Sequence, residues 1–167
     1  LAMLGAAIAF RRNEHMRMTA ALGRYGDKAR AKLNTLAIAA PFVFLALILP
    51  SALNYMHEEH VILSPALSVP DSWRVAAIPA GIGLMIAFAT FKLIRMPFAA
   101  PTVGATAALL ALLSAAAPVF AGFGNFNLIL FFIVALSGCV LSGIPIAFAF
   151  ALTTYAYLAI TTDVPLS

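Results

Sequence analysis

Charge is what this chain has least of. Only 10% of its 167 residues are Asp, Glu, Lys or Arg, against about 25% in soluble domains. Hydrophobic residues make up 63%, and the mean hydropathy is +1.02. So few charges cannot cover a water-soluble globule of this size, which excludes a soluble domain. There is one cysteine, Cys139, inside an apolar run. It can form no internal disulfide and says nothing of redox compartment. No basic motif interleaved with aromatics points to RNA or DNA, so the formal net charge of +4 speaks of membrane topology and anionic lipid, not of nucleic acid. Also missing is any ionisable residue in the middle of an apolar run, where ion and proton pathways usually leave one. The substrate route is therefore expected elsewhere. The reading is an all-α, polytopic transmembrane protein. Both ends look cut: Leu1 opens inside LAMLGAAIAF without an initiator Met, and TTDVPLS stops without a closing element. The chain is expected to be a fragment of a larger transporter.

What is present is one dense basic stretch, residues 11–32. It holds Arg11, Arg12, Arg17, Arg24, Lys28, Arg30 and Lys32, seven of the ten basic residues. A Lys or Arg at the bilayer centre costs about 2.5–3.5 kcal/mol on insertion scales, and short loops rich in them stay cytoplasmic. This stretch reads as a cytoplasmic loop between spans, with a short surface helix around Met16–Leu22 as one option and an irregular loop as the other. Its position orients everything downstream. Residues 1–10 become the inner end of a helix, 33–53 a first complete span containing Pro41 and Pro50, and 54–72 an outer segment with Glu58, Glu59 and Asp71. Trp73 falls where an interfacial aromatic belongs. A second span, 73–91, closes on Lys92 and Arg95, which snorkel to the cytoplasmic interface. With Arg11, Arg12, Arg17 and Trp73, these two are the expected interface anchors. A short hinge at 96–101 leads to an Ala-rich third span within 97–122, and 122–127 is an outer turn. The apolar run 128–160 is longer than one span needs. Gly143 and Pro145 are expected to break it, because together they remove helix propensity and an amide donor.

Several constellations invite chemistry and fail on spacing. His57-Glu58-Glu59-His60 places its histidines at i and i+3, whereas the zinc-protease helix needs i and i+4. Ala135-Leu136-Ser137-Gly138 lacks the first glycine of an intramembrane serine protease, and all three histidines fall in loops. Ser137, Gly138 and Ser142 read as small residues for close helix packing. Gly81-Ile82-Gly83 and Gly122-Phe123-Gly124 follow no strand and precede no Lys-Ser/Thr, so neither is a phosphate loop. Gly104-xxx-Ala108 and Ala76-xxx-Ala80 are small-xxx-small pairs, common by chance in Ala-rich spans. No catalytic, metal, cofactor or substrate residue is assigned.

Two stretches carry a family resemblance. LGAAIAFRRNEHMRM (4–18) resembles the helix end and basic loop of the small membrane subunit of TRAP (tripartite ATP-independent periplasmic) transporters. SPALSVPDSWRVAAIPAGIGLMIAF (64–88) is similar to that subunit's last span, with Trp73 and with Pro79 ahead of Gly81. A third, SGIPIAFAFALTTYAYLAITTDVPLS (142–167), looks like the opening of the large membrane subunit. The two subunits are fused in some members, and 97–122 lies where a joining helix would. The resemblance implies a small-subunit scaffold over 1–96, a connecting helix and outer turn over 97–125, and the start of the large subunit over 126–167. It implies a sodium-coupled importer of organic acids such as C4-dicarboxylates or sialic acid in the bacterial inner membrane. Its partners would be a periplasmic substrate-binding protein, the rest of the large permease subunit and the lipid bilayer. It implies no cofactor, with the coupling Na+ bound outside this stretch. The alternatives are a membrane anchor for an enzyme and a span bundle from an unrelated secondary carrier.

Overall fold

The structure, a computed structural model, describes residues 2–12, 26–61, 63, 70–115, 120, 124 and 126–161. It shows an all-α membrane protein. Helix α1 is Ala2–Arg12 and α2 is Asp27–Glu58. At 32 residues, α2 is about 48 Å long, well beyond the ~30 Å hydrocarbon core of a bilayer, so it projects at its ends. This corrects the reading of 11–32 as one loop. Arg11 and Arg12 form the last turn of α1, while Lys28, Arg30 and Lys32 stand on the first turns of α2. Long basic side chains are good helix formers, and cations at the C-terminus of α1 and Asp27 at the N-terminus of α2 suit the helix dipoles. Residues 13–25, with Arg17, Arg24 and the surface-helix option, lie outside the described residues.

The span expected at 33–53 is the middle of α2. The helix runs on through Glu58 and tightens into a 3₁₀ turn, Glu59–Val61, taking in much of what read as an outer loop. Pro41 and Pro50 both sit inside it, and Pro41 is fully buried. Helix α3, Ser72–Val75, is separated from α4, Ala77–Ile94, by Ala76 alone. Pro79 explains the interruption, because it has no N–H to give the Val75 carbonyl. By length and composition, Asp27–Val61 and Ser72–Ile94 are long and apolar enough to cross a membrane.

After a hinge at 95–98, α5 is Ala99–Ala115. Pro101 fits its first turn, where a missing donor costs nothing. Its 17 residues span about 26 Å, shorter than the expected third span, whose last part (116–119 and 121–122) lies outside the described residues. Helix α6, Phe126–Ile129, passes through a π-helical segment, Leu130–Ala135, into α7, Leu136–Leu141, making one rod. The rod ends where Gly143 takes φ 83°, a left-handed conformation that glycine adopts at little cost. Helix α8, Ile146–Thr161, follows Pro145.

Successive rods alternate in direction. Met3 of α1 lies against Gly81 and Phe10 against Lys92, so α1 and α4 run together. Thr35 meets Pro97, while Val43 and Leu47 further along α2 share a pocket with Leu110 and Ala111 of α5. Phe44 meets Tyr155 of α8 edge-on at 6.1 Å. Hence α2, α5 and α8 run together, opposite to α1 and α4. The main core gathers Phe10 of α1, Ile38–Ala40 of α2, Ile82, Met85 and Ala89 of α4, and Ile144 and Phe148 around the Gly143 break. Ala39 and Ala89 have no exposed surface; small residues here let backbones approach, as membrane packing requires.

Candidate functional site

The polar side chains with defined partners concentrate at the edge where α1 and α4 end and α2 begins. Lys92 donates a hydrogen bond to the Phe10 carbonyl at 2.8 Å, and its ammonium stands 5.3 Å above the Phe10 ring. Phe10 lies in the last turn of α1, where carbonyls lack a helical partner and a cation is favoured. Arg11 places its guanidinium 5.8 Å over the Phe88 ring of α4. Beyond the anchoring expected of it, Lys92, with Arg11, ties α1 to α4. Arg12 is exposed at the end of α1, and Arg95 caps α4, its N–H reaching the Lys92 carbonyl at 3.2 Å.

A second tie closes the hinge. The Thr35 hydroxyl, 1% exposed, lies 3.0 Å from both the Ala31 and Pro97 carbonyl oxygens and shares its proton between them. Phe98 has φ 64°, uncommon for a residue with a bulky side chain. Its carbonyl accepts from the Thr102 hydroxyl at 2.6 Å, and the Lys32 ammonium sits 5.8 Å over its ring. Neither Thr35 nor Phe98 stood out in the sequence. A lone threonine at the start of an apolar run was the available hint for the first; no residue pattern marks a positive φ at phenylalanine.

The opposite edge carries Trp73, 79% exposed, and an Arg74–Asp71 ion pair at 2.6 Å. His57 and His60 line a shallow pocket with Trp73. Among the described residues no group of three or more His, Cys, Asp or Glu could hold a metal ion. Gly143 and Pro145 are buried, and the turn they make is held by Gly143 N–H to Val140 carbonyl, 3.0 Å, and Ile144 N–H to Cys139 carbonyl, 3.2 Å. Phe148, just beyond, meets Phe10 edge-on at 5.7 Å, so the break packs beside the end of α1.

The small residues do not all serve as read. A methyl group on Gly81 would stand 2.8 Å from Met3 Cβ, so α1 and α4 approach closely at Gly81. Gly104 and Gly138 would meet nothing within 4 Å. Gly138 therefore does not serve helix packing; with Ser142 it lines a cavity between α5 and the rod. The arrangement offers helix-to-helix fastening, with every described basic residue except Arg74 at one edge.

The family model for the DctQ component of tripartite ATP-independent periplasmic transporters matches residues 1–99. The chain belongs to the DctQ family. DctQ is a membrane component of TRAP transporters and no enzyme, which sets the enzyme-anchor reading aside. Members of the DctQ family work with a substrate-binding protein and a large membrane subunit. The match covers α1–α4 and the hinge, ending at the first residue of α5. No curated protein and no solved structure matches the chain.

Proposed function

We infer that this chain is a membrane scaffold and fusion segment of a sodium-coupled, binding-protein-dependent TRAP importer of organic acids in the bacterial inner membrane. Residues 97–125 connect a small-subunit scaffold to the opening of a large permease subunit, 126–167. One observation carries the fusion: the DctQ match stops at the hinge, and from there α5 runs alongside α2, returning the chain to the opposite edge before the 126–141 rod begins. A large subunit fused behind an inward-ending scaffold needs one such crossing. The charge asymmetry supplies orientation. Arg11, Arg12, Lys28, Arg30, Lys32, Lys92 and Arg95 share one edge, which the positive-inside tendency places in the cytoplasm; Glu58, Glu59 and Asp71 are at the other. Sodium coupling and the organic-acid substrate rest on the family resemblance.

Single cysteines in a Cys139→Ala background test this reading. Gly26→Cys is expected to resist an impermeant thiol reagent on whole cells, and Val61→Cys and Phe126→Cys to label, all three residues being exposed. Labelling of Gly26→Cys without Val61→Cys would invert the topology. Protection of Phe126→Cys would mean that α5 does not cross, and the fusion reading would fail.

A further inference from the structure

Between α2, α5, the 126–141 rod and α8 lies a cavity of about 390 Å³ to which the scaffold role gives no task. Four hydroxyls line it, those of Thr102, Thr106, Ser142 and Thr153. Each donates to the carbonyl four residues back, on Phe98, Thr102, Gly138 and Ala149. With those protons committed and the remaining wall apolar, the cavity suits hydrocarbon. Its wall on α5 runs from Thr102 to Leu113, about 16 Å of helix. That is the depth of one leaflet, half of the ~30 Å core. It opens sideways, because Ala105 and Leu109 both line it and are exposed, Leu109 by 56%.

Its inner end lies toward the basic edge. Leu36 and Thr102, at the inner end of the wall, stand one helical turn beyond Lys32 and Phe98. Those two residues face each other, ammonium over ring, at 5.8 Å. The ring holds the ammonium without neutralising it, and the left-handed backbone of Phe98 is the kind of strained position that gathers at ligand sites. Lys28 lies one turn before Lys32, and both are exposed.

The geometry points to a binding site for an anionic phospholipid of the cytoplasmic leaflet: its phosphate against Lys32 and Lys28, one acyl chain entering past Leu36 and Thr102. Basic pockets between spans on the cytoplasmic side recognise such headgroups. The site rests on the proposed function only for which leaflet supplies the lipid. Binding measured in detergent does not depend on sidedness, so the two readings fail separately.

Native mass spectrometry of the purified chain with added dioleoyl phosphatidylglycerol or phosphatidylcholine tests it. One phosphatidylglycerol per chain is expected, held more tightly than phosphatidylcholine. Lys32→Gln should weaken it about five-fold, the loss of one basic contact near an anionic headgroup, and Lys32→Arg should restore it. Ala105→Phe, which fills the cavity and leaves the charges, should abolish it, while Arg74→Gln at the far edge should change nothing. Equal affinity for phosphatidylcholine would overturn the site, as would full competition by glycerol 3-phosphate, which would make it a free-phosphate site. Should Ala105→Phe fail to fold, the unaltered chain decides with a phosphatidylglycerol bearing a diazirine on its acyl chain. Crosslinks to the 102–113 wall or to 131–139 support the site. Crosslinks confined to other surfaces, or to a second protein chain occupying the cavity, overturn it.

Discussion

The two sides of the hinge are built differently from similar composition. Before it, α1, α2 and α4 pack closely, α1 on α4 at Gly81, and are fastened by polar groups reaching between them: Lys92 to the Phe10 carbonyl, Arg11 over Phe88, Thr35 to Pro97. After it, one rod contains a π-helical segment. Another chain reversal depends on Gly143, and the hydroxyls bond within their own helices around an open cavity. Apolar burial drives no helix association inside lipid, so close packing and interhelical polar contacts must supply it. The first region has both and fits a fixed scaffold. The second has contacts of another kind, aromatic ones: Phe131 and Phe132, neighbours in the π-helical segment, both meet Tyr157, at 6.0 and 5.7 Å. The wider π turn brings adjacent side chains nearer one direction.

The largest expected effect tests this contrast with one substitution made twice. Gly81→Leu should destabilise the protein by about 3 kcal/mol, the upper part of the usual overpacking range, because even its Cβ would collide with Met3 at 2.8 Å. A Cβ on exposed Gly104 would meet no atom within 4 Å, so Gly104→Leu should cost under about 0.5 kcal/mol, as surface substitutions do. Thermal unfolding in detergent measures both. Equal losses would erase the distinction and would restore Gly104-xxx-Ala108 as a docking face.

A smaller effect is expected at Lys92. Lys92→Met keeps most of the apolar stem and removes the charge-assisted bond to the Phe10 carbonyl. The cost should be about 1.5 kcal/mol, the lower part of the range for hydrogen bonds to charged groups, chosen because Lys92 is partly exposed. Destabilisation should be greatest in α1, read as faster backbone hydrogen exchange in residues 2–12. Uniform acceleration across α2 and α4 would mean that Lys92 supports the bundle generally and does not fasten α1.

Much of the helical order was legible because it follows from where charge cannot go. Arg11 and Arg12, Lys92 and Arg95 bound apolar runs, and the family match covers the same first region. Boundaries were less legible. Lys28–Lys32 read as loop because a basic cluster and a projecting helix end obey the same rule, and charge excludes the bilayer core without choosing between them. The ties themselves were hidden. Lys92 was visible as an interface cation, but its partner is a carbonyl 82 residues away, set by how α1 lies on α4. Gly81 was noticed as half of a Gly-x-Gly that binds no phosphate and as part of the family resemblance, not as a helix contact. Phe98 carried no signal, since the constraint on its backbone comes from Thr35 and Thr102 acting on either side of it.

That constraint gives the smallest and most discriminating effect. A residue with a Cβ in the left-handed region costs about 1–2 kcal/mol relative to a right-handed conformation, and Phe98 remains at φ 64° because its surroundings hold it there. The Pro97 carbonyl is bound by Thr35 and the Phe98 carbonyl by Thr102. Phe98→Ala removes the ring under Lys32 and keeps the strain. Phe98→Gly removes the ring and the strain together. The glycine variant should therefore unfold at the higher temperature, by about 1 kcal/mol of stability, reversing the order inside a helix, where glycine is about 1 kcal/mol worse than alanine. Alanine matching or exceeding glycine would mean that the hinge relaxes to negative φ once the ring is gone, and that Lys32 over Phe98, not the two threonines, sets its shape. The hinge would then belong to the looser second region, and the boundary between the two would move back from α5 to the end of α4.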